Sequence, residues 1–142
     1  MISSSSGDYH MRLAERYRYK NRRPYRERIA RLAWCGVQLT LFRLFPHFIG
    51  KAWRKFLLSC FGATLGSKVN VWPSCRVWAP WKLETGTFVA IDECVDVYNV
   101  EKITIGNFVA ISRRAFLCTA THDISDVARQ LVARPIIIRD GV

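Results

Sequence analysis

Three histidines are the residues of this 142-residue chain best suited to moving a proton, because a neutral imidazole titrates near working pH and can take a hydroxyl proton. His10 lies in a polar N-terminal tail and His47 follows Pro46. His122 stands in T-A-T-H-D (Thr119 to Asp123), where a regular pattern further up the chain breaks off. Asp123 and Asp126 follow it closely, and each could orient an imidazole, hold a hydroxylated ligand, or simply face solvent. From the residues alone, a histidine at the mouth of a loop reads more readily as structural than as catalytic. The five cysteines, Cys35, Cys60, Cys75, Cys94 and Cys118, are widely spaced and form no C-x-x-C pair. That spacing predicts neither a zinc site nor a disulfide framework, so no metal is expected and the thiols read as small buried side chains in a reducing compartment.

The elements that must position these groups follow from an internal repeat. Leu65-Gly66-Ser67-Lys68-Val69 aligns with Thr85-Gly86-Thr87-Phe88-Val89 and with Ile105-Gly106-Asn107-Phe108-Val109, a period of 20 residues. Val71, Ile91 and Ile111 stay in register, as do Val77, Val97 and Leu117. Within each unit aliphatic residues recur every six positions, so a unit is three hexapeptides plus two residues. A hexapeptide suits one short strand and a turn with its first residue pointing inward. Three such strands close one triangular coil, and coils must stack to bury their inward ladders. Gly66, Gly86 and Gly106 follow the inward residue, where the expectation is a tight or left-handed corner. A fourth coil falls due at 125, yet the next matching start is Ile138-Arg139-Asp140-Gly141-Val142, so 13 residues are inserted directly after His122. Loops leaving a rigid scaffold commonly carry functional residues.

Ahead of the repeat lies a different composition. Splitting the chain after Cys60 gives 13 basic and 3 acidic residues, then 9 basic and 8 acidic, so net charges of +10 and +1 make up the total of +11. Residues 1–27 read as a basic flexible arm, and residues 28–61 as a helical extension. Arg28 to Phe45 has polar positions at Arg28, Arg31, Cys35 and Gln38, the spacing of an amphipathic helix that Pro46 would end. A second helix from Lys51 to Phe61 would set Trp53, Phe56, Leu57 and Cys60 opposite Arg54 and Lys55. Both should cap the first coil, and Trp72, Trp78 and Trp81 are expected to pack beneath them rather than stack on a ligand. Leu32 to Phe42, the longest uncharged run, is 11 residues and too short to span a bilayer.

The repeat resembles the hexapeptide-repeat acyltransferases. More closely, Phe61 to His122 resembles the WcaF-like colanic acid biosynthesis acetyltransferases, through F-G-A-T-L-G (Phe61 to Gly66), V-W-A-P-W-K-L-E-T-G (Val77 to Gly86), Val97-Tyr98-Asn99, I-T-I-G-N-F-V-A-I-S (Ile103 to Ser112) and A-F-L-C-T-A-T-H-D (Ala115 to Asp123). The resemblance implies a mainly β fold, a left-handed parallel β-helix of about three coils in residues 62–142, behind the basic arm and two short α-helices. It also implies transfer from acetyl-CoA to a sugar hydroxyl in exopolysaccharide biosynthesis, with His122 as general base and Asn99 lining the acceptor pocket. Asp123 or Asp126 would support the histidine or the sugar. A homotrimer with sites between subunits, a sugar or lipid-linked glycan acceptor, and a cytoplasmic location at the inner membrane face complete the expectation. Arg113 and Arg114 depart from the family's small residues at those positions, and Arg139 stands where the repeat wants glycine. The chain stops five residues into a fourth coil, so it reads as truncated, with the acetyl-CoA contacts expected beyond Val142.

Two other readings compete. The arm's cations, with Tyr9, Tyr17, Tyr19 and Tyr25 among them, would suit nucleic acid. No recognition fold accompanies them, so nucleic acid is not expected as a partner. A catalytically inactive scaffold or membrane-surface protein, with the arm and the first helix lying on anionic lipid, is the second, and it can coexist with acetyl transfer.

Overall fold

The computed structural model describes residues 24–125 and 129–142. Most of the basic arm and Asp126 therefore lie outside the described residues. The repeat folds as coils. Strands β1 (Thr64–Leu65), β2 (Asn70–Val71) and β3 (Arg76–Val77) make the first; β4 (Leu83–Thr85), β5 (Val89–Ile91) and β6 (Asp96–Tyr98) the second; β7 (Ile103–Ile105), β8 (Val109–Ile111) and β9 (Phe116–Cys118) the third. Each strand pairs in parallel with its counterpart one coil on, always at an offset of 20 residues, as in Leu65 with Thr85 and Val97 with Leu117. Three parallel sheets result. Between them lie the predicted ladders, with Val71, Ile91 and Ile111 buried on one face and Val77 and Val97 on another.

Beyond β9 the chain leaves the coil. Strand β10 (Ala120–His122) pairs antiparallel with β11 (Leu131–Ala133), a hairpin that takes up the inserted residues. Strand β12 (Ile136–Ile138) then rejoins the first face beside β7, with Ile136 opposite Ile103. That offset of 33 is the 20-residue period plus the 13-residue insertion.

The three repeat glycines have a different cause from the one the sequence suggests. None of them is left-handed; the left-handed corners fall two residues later, at Lys68, Phe88 and Phe108, and again at Cys94 and Arg114. What the glycines permit is close approach between coils. A Cβ on Gly86 would sit 2.8 Å from the carbonyl carbon and oxygen of Gly106, which are backbone atoms of the next coil and cannot swing aside. Gly86→Ala should therefore lower stability by about 1–3 kcal/mol through overpacking. An unchanged urea unfolding midpoint would show that the coils part freely there. The left-handed Phe88 and Phe108 project outward and stack at 5.0 Å, with Lys68 Nζ over the Phe88 ring, a partial offset to the cost of those backbone conformations.

The helical layer differs in detail from its prediction. Helix α1 (Tyr25–Leu39) starts three residues earlier than Arg28, because Pro24 is extended at the N-cap and its carbonyl accepts from the Glu27 and Arg28 amides. It ends well short of Phe45. The Thr40 hydroxyl donates to the Gly36 carbonyl, and a 3-10 turn follows at Leu41–Arg43. Helix α2 (Lys51–Cys60) ends in a turn at Phe61. The inward faces also change. Trp34 is buried and its indole donates to the Val77 carbonyl at 2.6 Å, while Arg31 lies over the Trp78 ring and donates to the Trp78 carbonyl. Trp72 stacks on His47 at 3.8 Å, so two of the three tryptophans pack against the helical layer as expected. On α2, Arg54 is fully buried with Leu57 and Leu58, whereas Phe56 and Cys60 face out. The cysteine expectation fails in part: Cys35 and Cys60 sit on outer helix faces and Cys94 at an outward corner, leaving Cys75 buried and Cys118 half-buried. Desolvation pushes the Cys75 thiol up to about 12, which makes it an inert core group.

Candidate active site

His122 is the last residue of β10 and lies opposite Leu131 in the hairpin. Its imidazole is exposed, and Nδ1 lies 2.8 Å from the Arg129 carbonyl oxygen. A carbonyl can only accept, so Nδ1 must carry the proton and donate it there. In the neutral ring the other nitrogen, Nε2, then keeps its lone pair, which is the tautomer a general base needs. Arg129 is left-handed with φ of 44°, a conformation uncommon for a residue with a side chain and concentrated at functional positions. The hairpin itself is held by the Asp123 amide donating to Gln130 and the Arg134 amide donating to Thr119.

The three other candidate residues fare differently. Asp123 carries a turn, its Oδ1 accepting from the Ser125 amide at 2.9 Å and the Ser125 hydroxyl at 2.6 Å, while the Arg129 carbonyl lies against the imidazole Nδ1. Asp126 lies outside the described residues. Asn99 is fully buried; its Oδ1 accepts from the Ala79 amide at 2.9 Å and its Nδ2 donates to the Ala79 carbonyl at 2.6 Å. Both ends of the amide are used to tie the second coil to the first at a corner, so Asn99 lines no pocket within this chain. One coil on, Thr119 does similar work, donating from its hydroxyl to the Tyr98 carbonyl and accepting from the Glu101 amide.

A cleft of about 550 Å³ opens beside the hairpin, lined among others by Thr121, Asp123, Val132, Arg134 and Ile136. His122 is not part of its wall. Alternation along β10 sends Thr121 to one face of the strand and His122 to the other. The imidazole therefore opens onto the outside of its own chain.

No protein-family model matches the chain. It is 38% identical over 105 residues to WcaF of Escherichia coli K12, assigned as a colanic acid biosynthesis acetyltransferase, and equally to WcaF of Shigella flexneri. Over that stretch the chain is similar to the WcaF proteins. The matched stretch covers 74% of it and 57% of those relatives, so the chain spans somewhat over half their length. A hexapeptide-repeat-containing acetyltransferase from Vibrio cholerae superposes with a TM-score of 0.72 at 23% identity, over 82% of this chain and 66% of that one. That likeness shows the fold, a left-handed parallel β-helix preceded by helices. The residue of this hairpin that the sequence did not single out is Arg129. Its contribution is a backbone carbonyl, which residue type does not encode.

Proposed function

We propose that this chain is the β-helix part of an O-acetyltransferase that moves acetyl from acetyl-CoA to a sugar hydroxyl during exopolysaccharide assembly. The observation that carries the reading is an exposed imidazole fixed by a backbone carbonyl in the tautomer with a free Nε2, on a hairpin leaving a hexapeptide coil. In the reaction, the acceptor hydroxyl oxygen attacks the thioester carbonyl carbon while Nε2 takes its proton. The tetrahedral intermediate collapses, the carbon–sulfur bond breaks, and the imidazolium returns the proton to the departing CoA thiolate. A metal is not needed for either step. Because His122 faces out of its own chain, the reading includes a homotrimer in which a neighbouring copy closes the site, in the cytoplasm where acetyl-CoA is made.

The assay is release of CoA thiol from acetyl-CoA by the purified chain, with and without glycan-type sugar acceptors. Release that depends on a hydroxylated sugar, with an O-acetyl product by mass, is the expected outcome. Release to an amine acceptor alone, or none with any sugar, would reject the reading.

A further inference from the structure

Helix α1 carries apolar residues on both sides. Trp34 and Val37 pack inward on the coils, while Tyr25, Ile29, Leu32 and Leu39, at spacings of 4, 3 and 7 residues, form a stripe on the outer side. Leu32 is 75% exposed and Leu39 65%. The surface does not end with α1. Beyond the 3-10 turn, Phe48 is 73% exposed and Ile49 64%, and Phe56 on α2 stacks on Trp53, whose indole donates to the Leu41 carbonyl. Ten of the seventeen large exposed apolar side chains among the described residues fall between Tyr25 and Phe56. Such a concentration is not ordinary surface scatter.

The charge around it is one-sided. Residues 24–61 hold seven cations and one acid, a net +6, and that acid, Glu27, is half-buried and paired with Lys82 at 3.5 Å. Arg28, Arg43 and Lys51 are exposed. A second copy of this face would set these exposed cations against their own like. The preceding 23 residues, with six cations and two acids, carry +4 and repel it likewise. An anionic lipid surface satisfies both demands, since leucine and phenylalanine can enter the acyl boundary while arginine and lysine meet phosphate. Among the described residues no helix is long and apolar enough to cross a membrane, so the layer would lie on the bilayer rather than span it.

We propose that the helical layer, through Leu32, Leu39, Phe48 and Ile49 with their flanking cations, docks the β-helix on an anionic membrane surface. This extends lipid contact from the arm and first helix to the segment before α2, at Phe48 and Ile49, and it does not depend on the acetyl-transfer reading. The test is co-sedimentation of the full chain with vesicles of phosphatidylcholine alone and of phosphatidylcholine with phosphatidylglycerol in equal parts. Wild type should pellet with the mixed vesicles only. Leu32→Glu with Phe48→Glu should weaken that binding about tenfold or more, and Arg43→Glu with Lys51→Glu should weaken it and flatten its salt dependence. Both pairs are on exposed side chains, and an unchanged thermal melt checks that they fold. Undiminished binding by the Leu32/Phe48 variant would hand the contact to the arm and overturn the proposal. So would equal binding to neutral vesicles, no binding at all, or a fall in solution mass with these substitutions, which would mean that a second copy covers the face. Acetyl transfer to a soluble acceptor, read in the same variants, should not change.

Discussion

His122→Ala should lower the acetyl-transfer rate by about a hundred- to ten-thousandfold, the usual range for losing a positioned general base. The fold should survive, because the side chain is exposed and the β10–β11 hairpin is held by backbone pairs at Ala120, Thr121 and His122 that alanine retains. A His122→Gln variant sharpens the test. Its amide can still donate to the Arg129 carbonyl, but it offers no basic nitrogen to the acceptor hydroxyl. If Gln restores the hairpin's melting behaviour yet not the rate, the lost function is proton transfer. If either variant keeps full activity while releasing CoA thiol against a sugar acceptor, His122 is not the base.

Which parts of this architecture could be read in the sequence follows from how each is encoded. The coils were legible because burial in stacked ladders is repetitive: Val71, Ile91 and Ile111 must all be aliphatic for the same reason, and register repeats that reason every 20 residues. The hairpin was legible as an interruption of that register. Asn99 entered as an acceptor-pocket residue through the family resemblance, and within this chain its amide is used structurally. Its position between Ala79 and Thr119 shows the demand it meets, a corner whose backbone polar groups would otherwise be buried without partners. The repeat polar column at Ser67, Thr87, Asn107 and Asp140 works similarly at another corner. There Asn107 Oδ1 accepts from the Thr87 amide, and Asp140 accepts from the Asn107 amide at 2.7 Å, which holds the Asp140 carboxyl below its usual range. The helical layer was the least legible. A helical wheel ranks faces by polarity, and here the packed faces carry Arg31, Trp34 and Arg54 while Leu32 and Leu39 of α1 point outward. Tertiary acceptors on the first coil decided the orientation.

Arg54→Met should cost about 3 kcal/mol or more, the largest loss expected from any single change in the helical layer. The guanidinium is completely buried, and each of its three nitrogens donates to a carbonyl: Nε to Val71 at 2.7 Å, one terminal nitrogen to Phe45 at 3.1 Å, the other to His47 at 2.7 Å. Val71 belongs to the first coil, while Phe45 and His47 belong to the irregular segment before α2. One planar fork thus joins the loop, the helix and the solenoid. Space for it is made by Gly50, where any Cβ would collide with the guanidinium. Burial pulls the Arg54 pKa below its ordinary value; a guanidinium stays protonated inside proteins, so its hydrogen bonds are charge-assisted. Methionine fills much of the volume but leaves three carbonyls without donors, each worth about 1–3 kcal/mol when buried and unsatisfied. Lysine keeps the charge and loses the fork, so Arg54→Lys should recover only part of the difference. The loss should appear first as detachment of the layer. His47 would leave Trp72, and Trp72 fluorescence would change at lower urea than the backbone signal of the coils. Coincident transitions at the wild-type midpoint would show that the layer is held by its apolar contacts alone and that Arg54 is only a passenger in the core.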